Sequence, residues 1–114
     1  MRDCYLKKNI DFQRVYKKRN ITGNRNIIAF YKKNNLDNKR LGFTITKKVG
    51  NAVTRNRLKR QFKDIYYNNF NLLKDGYDYV FVIKKSCLDI SYKELEASFR
   101  HICRKLNKVI KWEK

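Results

Sequence analysis

The sequence has no proline and, among its 114 residues, only four glycines, one histidine and one tryptophan. The absence of proline carries no functional reading. The single histidine, His101, lies beside an apolar helical stripe and reads as a packed or surface residue rather than a general base. Acids are scarce, with 10 Asp+Glu, and they do not cluster. Asp75 and Asp78 flank a turn, and Glu94 and Glu96 serve a helix start, so no carboxylate pair for acid–base work is apparent. Three cysteines, Cys4, Cys87 and Cys103, are widely spaced and form no CxxC pair. Neither a zinc site nor a disulfide framework follows, and reduced thiols in a cytoplasmic protein are expected. No apolar run is long enough to span a bilayer. The opening MRDCYLKKN has no apolar segment of the secretory kind, so neither a signal nor a membrane partner is expected. No Gly-rich phosphate loop of the P-loop type occurs. The chain therefore shows neither catalytic residues nor a side-chain metal site.

What the sequence does have is positive charge. Lys+Arg is 29 against 10 acids, a formal net charge of +19. That exceeds what solubility needs and implies a polyanionic partner, nucleic acid before an anionic membrane surface. The length fits one domain over residues 1–114, and 42% hydrophobic with 14% aromatic residues suffices for a modest core. Residues 1–8 and 109–114 read as flexible basic tails.

The rest of the chain is organised around residues 47–67, KKVGNAVTRNRLKRQFKDIYY. A strand end turns through Gly50-Asn51 into a helix with two unlike faces. Leu58, Phe62, Ile65 and Tyr66, at i, i+4, i+7, i+8, form an apolar stripe. Arg55, Asn56, Lys59, Arg60 and Lys63 form a neighbouring cationic one. Asp64, four residues after Arg60, is the only acid there.

Around this helix, residues 10–18 read as a short amphipathic helix capped by Asn9, with Phe12, Val15 and Tyr16 on one face. Residues 17–24 read as a loop. Residues 26–32 read as a strand and 34–39 as a hairpin connection. In residues 40–47, Leu41, Phe43 and Ile45 alternate with Gly42, Thr44 and Thr46, a half-buried strand. The basic helix fades near Asn68-Asn69. Residues 77–84 carry the unbroken apolar run of a strand covered on both faces. Ser91 and Glu94 form a capping box ahead of a helix over 92–108 with Leu95, Phe99, Ile102 and Leu106 inward. The order is helix, two strands with room for a third short one, basic helix, strand, helix. This is α+β: one sheet against two or three helices. The strands flanking the basic helix are expected to be parallel.

The cations Lys47, Lys48, Arg55, Arg57, Lys59, Arg60 and Lys63 suit phosphates, Arg most of all because its planar fork binds two oxygens at once. Asn51 and Asn56 can donate and accept, which suits 2′-hydroxyls or bases. Phe12, Tyr16, Phe30 and Tyr31 could stack unpaired bases if they converge on an open sheet face. On spacing alone, ordinary core packing is the simpler account of Phe12 and Tyr16.

With these residues in view, GFTITKKVGNAVTRNRLKRQFKDIYY resembles the RNR signature of the protein subunit of bacterial ribonuclease P. LKKNIDFQRVYKK, YDYVFVIKK and SYKELEASFRHICRKL resemble its other blocks in the same order, so the likeness covers roughly residues 5–108. The resemblance implies a two-layer α/β sandwich of order α-β-β-β-α-β-α, with an unusual left-handed crossover around the basic helix. It implies a ribonucleoprotein endonuclease that removes the 5′ leader of precursor tRNA. The catalytic centre and its Mg²⁺ would belong to the RNA subunit and substrate. One protein would bind one RNA subunit and the single-stranded leader. Arg55, Asn56, Arg57, Leu58, Lys59 and Arg60 match the RNR motif and would face that RNA. Phe12, Tyr16 and Phe30 fall at the aromatic positions of the leader cleft. A further cleft aromatic on the last helix falls near Val109 or Ile110 here, a departure from the family pattern, with Trp112 as its substitute. Composition alone is also met by a ribosomal or other structural RNA-binding protein, or by a module for DNA or an anionic membrane surface.

Overall fold

The computed structural model describes residues 5–111. Cys4 and the substitute aromatic Trp112 lie outside the described residues. Helix α1 spans Asn9–Lys18, with Asp11 in its first turn and Lys17 and Lys18 in its last, as the helix dipole favours. Asn9, the expected cap, is instead the first helical residue. The Lys8 carbonyl accepts from the Asp11 and Phe12 N–H groups, so the helix begins one residue earlier.

Strands β1 (Ile21–Gly23), β2 (Ile27–Lys33), β3 (Arg40–Ile45) and β4 (Tyr77–Ile83) form one sheet in the order β1-β2-β4-β3. The segment expected as loop thus contains the short β1, which pairs antiparallel with β2. Asn24 shapes that hairpin: its Oδ1 accepts from the Asn26 and Ile27 N–H groups, 3.0 Å each. Residues 34–39 do not join neighbouring strands, contrary to the hairpin expectation. β4 lies between β2 and β3, antiparallel to the first and parallel to the second. The physical reason is burial. β4 is apolar on both sides, and the central slot is the one covered on both faces. The parallel β3–β4 pair bears out the expected crossover, which carries α2 (Ala52–Asn68).

α2 and α3 (Tyr92–Lys111) cover one face of the sheet; α1 lies alone across the other. Leu58, Phe62, Ile65 and Tyr66 of α2, and Leu95, Phe99, Ile102 and Leu106 of α3, are all buried. Phe62 is the pivot. Its ring lies 5.4, 5.6 and 5.3 Å from those of Phe43, Phe81 and Phe99, joining α2 to both strands of the crossover and to α3. The α3 capping box forms as expected: the Ser91 N–H donates to Glu94 Oε1 and the Glu94 N–H to Ser91 Oγ, both at 3.2 Å.

On the opposite face, α1 packs Val15 on Val80, with Phe12, Tyr16 and Phe30 around them. Gly42 of β3 lies under Phe12. A Cβ there would come within 2.6 Å of the Phe12 ring, so glycine lets α1 sit close to the sheet.

Residues 5–8 and 109–111 are the described parts of the two stretches expected as basic tails. Tyr5 bridges to Leu41, and the buried Leu6 donates its N–H to the Leu41 carbonyl at 2.7 Å, covering the start of β3's outer edge. α3 runs through residues 109–111, because Ile110 is drawn into the core.

Candidate nucleic-acid interface

The basic helix is aimed by its own N-terminus. Lys47–Val49 form a single 3-10 turn, and Gly50 then takes φ 147°. A side chain at that φ would be strained, and its Cβ would also crowd Leu88 and Thr54 at 3.1–3.3 Å. Asn51 caps α2: its Oδ1 accepts from the Thr54 N–H at 2.9 Å. Arg55 Nη1 donates to the Gly50 carbonyl at 2.6 Å, tying the helix back to the turn. Asn51 and Arg55 therefore have local structural work as well as polar groups to offer a partner.

The apolar stripe pins one side of α2 inward, which turns the cations outward. Lys47, Lys48, Asn51, Asn56, Arg57, Lys59, Arg60 and Lys63 are exposed and Arg55 is half-buried. Among the described residues the ion pairs are Arg14–Asp11, Lys39–Asp75 and Arg40–Asp78, so none neutralises this helix.

Between α1 and α2, wrapped around the outer edge of β3, lies a cleft of about 610 Å³. Phe12 and Tyr16 form one wall, Arg55, Asn56 and Lys59 the other, and Phe43, Thr44 and Ile45 the floor. Tyr16 and Thr44 share a hydrogen bond of 3.2 Å through their hydroxyls. Phe30 stands behind Tyr16, edge to face at 4.8 Å, and supports the wall without lining the cleft. Tyr31 does not join these aromatics; it faces the other side of the sheet, in the main core. Lys47, Lys48, Arg57, Arg60 and Lys63 lie outside the cleft, along the turn and the exposed surface of α2.

Asn9, Gln13 and Thr44 also line the cleft and were not anticipated. Asn9, Gln13 and Tyr16 recur at i, i+4, i+7, a polar helical stripe beside Phe12 that was there to be read. Thr44 needed knowledge that β3 is an edge strand. On α3, Ile110 is core and Val109 half-exposed, so neither supplies a cleft aromatic.

Arg40 donates twice to Asp78, at 2.8 and 2.7 Å, and that bond raises its pKa. Burial pushes the Cys103 thiol up to about 12 and that of Cys87 up to about 11, so neither is a poised nucleophile. His101 is exposed, its Nδ1 3.1 Å from Asn24 Nδ2. Among the described residues no group of three or more His, Cys, Asp or Glu could hold a metal ion.

An aromatic wall facing a cationic wall across an open trough stacks bases and neutralises phosphates together. The fold and site define an RNA-binding α+β protein that carries no side-chain catalytic set among the described residues. The family model described as ribonuclease P matches residues 1–107. The ribonuclease P protein component of Alkaliphilus oremlandii is 43% identical over 102 residues, covering 90% of each chain. Two solved structures of Staphylococcus aureus RNase P protein are similar in fold. A mutant with defective mRNA degradation activity has TM-score 0.86 at 29% identity, covering 93% of this chain and 90% of that one. The other has TM-score 0.83 at 30% identity, covering 90% and 94%. The chain belongs to the ribonuclease P protein family. It is thereby a subunit of a ribonucleoprotein endoribonuclease rather than an enzyme complete in itself.

Proposed function

We propose that this chain assists the catalytic RNA of ribonuclease P in removing the 5′ leader of precursor tRNA, in the cytoplasm, with one protein per RNA. The leader's unpaired bases stack on Phe12 and Tyr16, with Phe30 holding Tyr16 in place. Each stack contributes about 1–3 kcal/mol and tolerates any base. Arg55, Asn56 and Lys59 meet the leader's phosphates from the opposite wall. Lys47, Lys48, Asn51, Arg57, Arg60 and Lys63 bind the RNA subunit along the turn and the exposed surface of α2. The observation that carries this reading is the convergence of Phe12 and Tyr16 with Arg55, Asn56 and Lys59 on one trough at the edge of β3. Mg²⁺ is assigned to the RNA and substrate, as the resemblance to the family implies. The protein's part is to hold the leader in register and to offset phosphate repulsion.

The test is a leader-length series. Precursor affinity is measured with a bacterial ribonuclease P RNA, with and without the protein. The protein's gain should grow as the first leader nucleotides are added and then level off. A gain independent of leader length would overturn the cleft assignment.

A further inference from the structure

The cleft and the surface of α2 do not use all of the uncompensated charge. On α3, Lys93, Arg100, Arg104 and Lys108 are all exposed. Their spacing of i, i+7, i+11 and i+15 puts them along one side of the helix, away from the buried Leu95, Phe99, Ile102 and Leu106. At about 1.5 Å rise per residue this line is about 22 Å long. Ala97 lies in its path, and its short side chain leaves a notch of about 270 Å³ bounded by Lys93, Glu96, Arg100 and Arg104.

The line keeps a net positive charge: Glu96, the acid at the notch, offsets one of its four cations. The ion pairs among the described residues involve no residue of α3. Glu94 is engaged in the capping box, and Glu96 Oε2 accepts from Asn69 Nδ2 of α2 at 3.0 Å. Lys93 sits in the first turn, at the positive end of the helix dipole, where a cation is disfavoured. The helix dipole favours Lys108 in the last turn, but folding alone gives no reason for Lys93, Arg100 and Arg104 to carry like charge.

We propose that the outer side of α3 is a further contact for an RNA phosphate backbone, separate from the leader cleft and from the exposed surface of α2. The notch is bounded by α3 alone, and α3 contributes nothing to the cleft, which α1, β3 and α2 build. Arg100 and Arg104 flank a phosphate at the notch, and Lys93 and Lys108 extend the contact along the strand. This rests on the RNA-binding reading above and adds a surface that reading does not use.

The test uses reconstituted holoenzyme with the triple variant K93Q/R100Q/R104Q. Two quantities are read: the salt dependence of protein binding to the ribonuclease P RNA, and the affinity ratio for precursor with and without its leader. Each phosphate contact contributes about 0.7–0.9 to the slope of log K against log salt, so the triple variant should lose about 2–3. The leader ratio should stay as in the wild type. The charge-conserving variant K93R/R100K/R104K should keep the slope. The double variant K33Q/K85Q, at exposed positions away from α3, should lose less slope per charge removed. An unchanged slope in the α3 triple variant overturns the proposal, as does an equal loss per charge in the control. A fall in slope with an equal fall in leader ratio overturns the separateness of the two surfaces. Failure of the parent reading looks different, because the wild-type protein itself would then give no leader-dependent gain. The triple variant should melt no lower than the wild type; a lower midpoint would overturn the claim that folding does not need these cations.

Discussion

Gly42→Ala makes a sharp test of how α1 and the cleft are built. The backbone at Gly42 needs no unusual φ, so the effect is steric alone. The new Cβ would lie 2.6 and 2.7 Å from two atoms of the Phe12 ring and 3.3 Å from Leu6 Cδ1. Ordinary contact requires roughly a further 1 Å, so either the Phe12 ring swings toward the cleft or α1 lifts. Overpacking of this kind costs about 1–3 kcal/mol. At about 4 °C per kcal/mol for a domain of this size, the melting midpoint should fall visibly. The displaced ring also narrows the cleft, so leader affinity should fall together with stability. The double-mutant cycle isolates the cause. In a Phe12→Ala background the main clash is gone, and Gly42→Ala should then be nearly neutral, or stabilising by the few tenths of a kcal/mol that alanine gains over glycine through the unfolded chain. Urea denaturation of the four proteins gives the coupling energy, and leader binding by the same four gives its functional counterpart. Equal costs of Gly42→Ala in both backgrounds would refute the close approach of Phe12 to β3. Lost stability with unchanged leader affinity would refute Phe12 as a cleft wall.

Four other outcomes follow from the same geometry. Phe12→Ala and Tyr16→Ala should each weaken leader binding by about 1–3 kcal/mol; Phe30→Ala, acting through Tyr16, should weaken it less, and affinities measured on leaderless substrate should not move. Arg57→Ala and Arg60→Ala should each lower the salt slope of RNA-subunit binding by about 0.7–0.9, a change that titration at several salt concentrations resolves. Arg40→Ala removes the charged partner of the buried Asp78 carboxylate, which keeps the Asn34 Nδ2 donor, and should cost about 2–4 kcal/mol in urea melts, below a fully buried pair because Arg40 is partly in water. The neutral thiols of Cys87 and Cys103 are favoured by burial, so their contribution is intact below their ordinary pKa of 9.0 and is lost as pH rises toward about 11 and 12. A Cys87→Ala/Cys103→Ala protein should therefore lose stability less steeply than the wild type across that alkaline range.

Local chemistry made much of this molecule legible. The basic helix declared itself through the Gly50-Asn51 turn, its apolar stripe and the Asn68-Asn69 exit, and α3 through the Ser91/Glu94 box. These are signals within a few residues of one another, and the structure reproduces them. Strand neighbours are a different kind of fact. Residues 34–39 look like a hairpin because they are polar and short, yet β4 takes the place between β2 and β3 because a strand apolar on both sides gains most from the central slot. β1 is three residues long, too short for a period to register. Tyr5 and Leu6 read as tail because Leu41, at the edge of β3 they cover, is 36 and 35 residues away in the chain. In the interface, the residue types were legible and their convergence was not. Phe12 and Tyr16 meet Arg55, Asn56 and Lys59 only because β3 is an edge strand with α1 on one face and α2 on the other.

The central claim is that this chain holds RNA while RNA cuts RNA. Cleavage of a precursor tRNA at low Mg²⁺ by a bacterial ribonuclease P RNA, with and without the protein, and with and without the leader cleft residues Phe12 and Tyr16, tests it most directly. The account predicts no cleavage by the protein alone, a protein-dependent gain with the RNA present, and loss of the leader-dependent part of that gain in the double alanine variant. Cleavage at the mature 5′ end by the protein without RNA, or a gain indifferent to the leader, would contradict it.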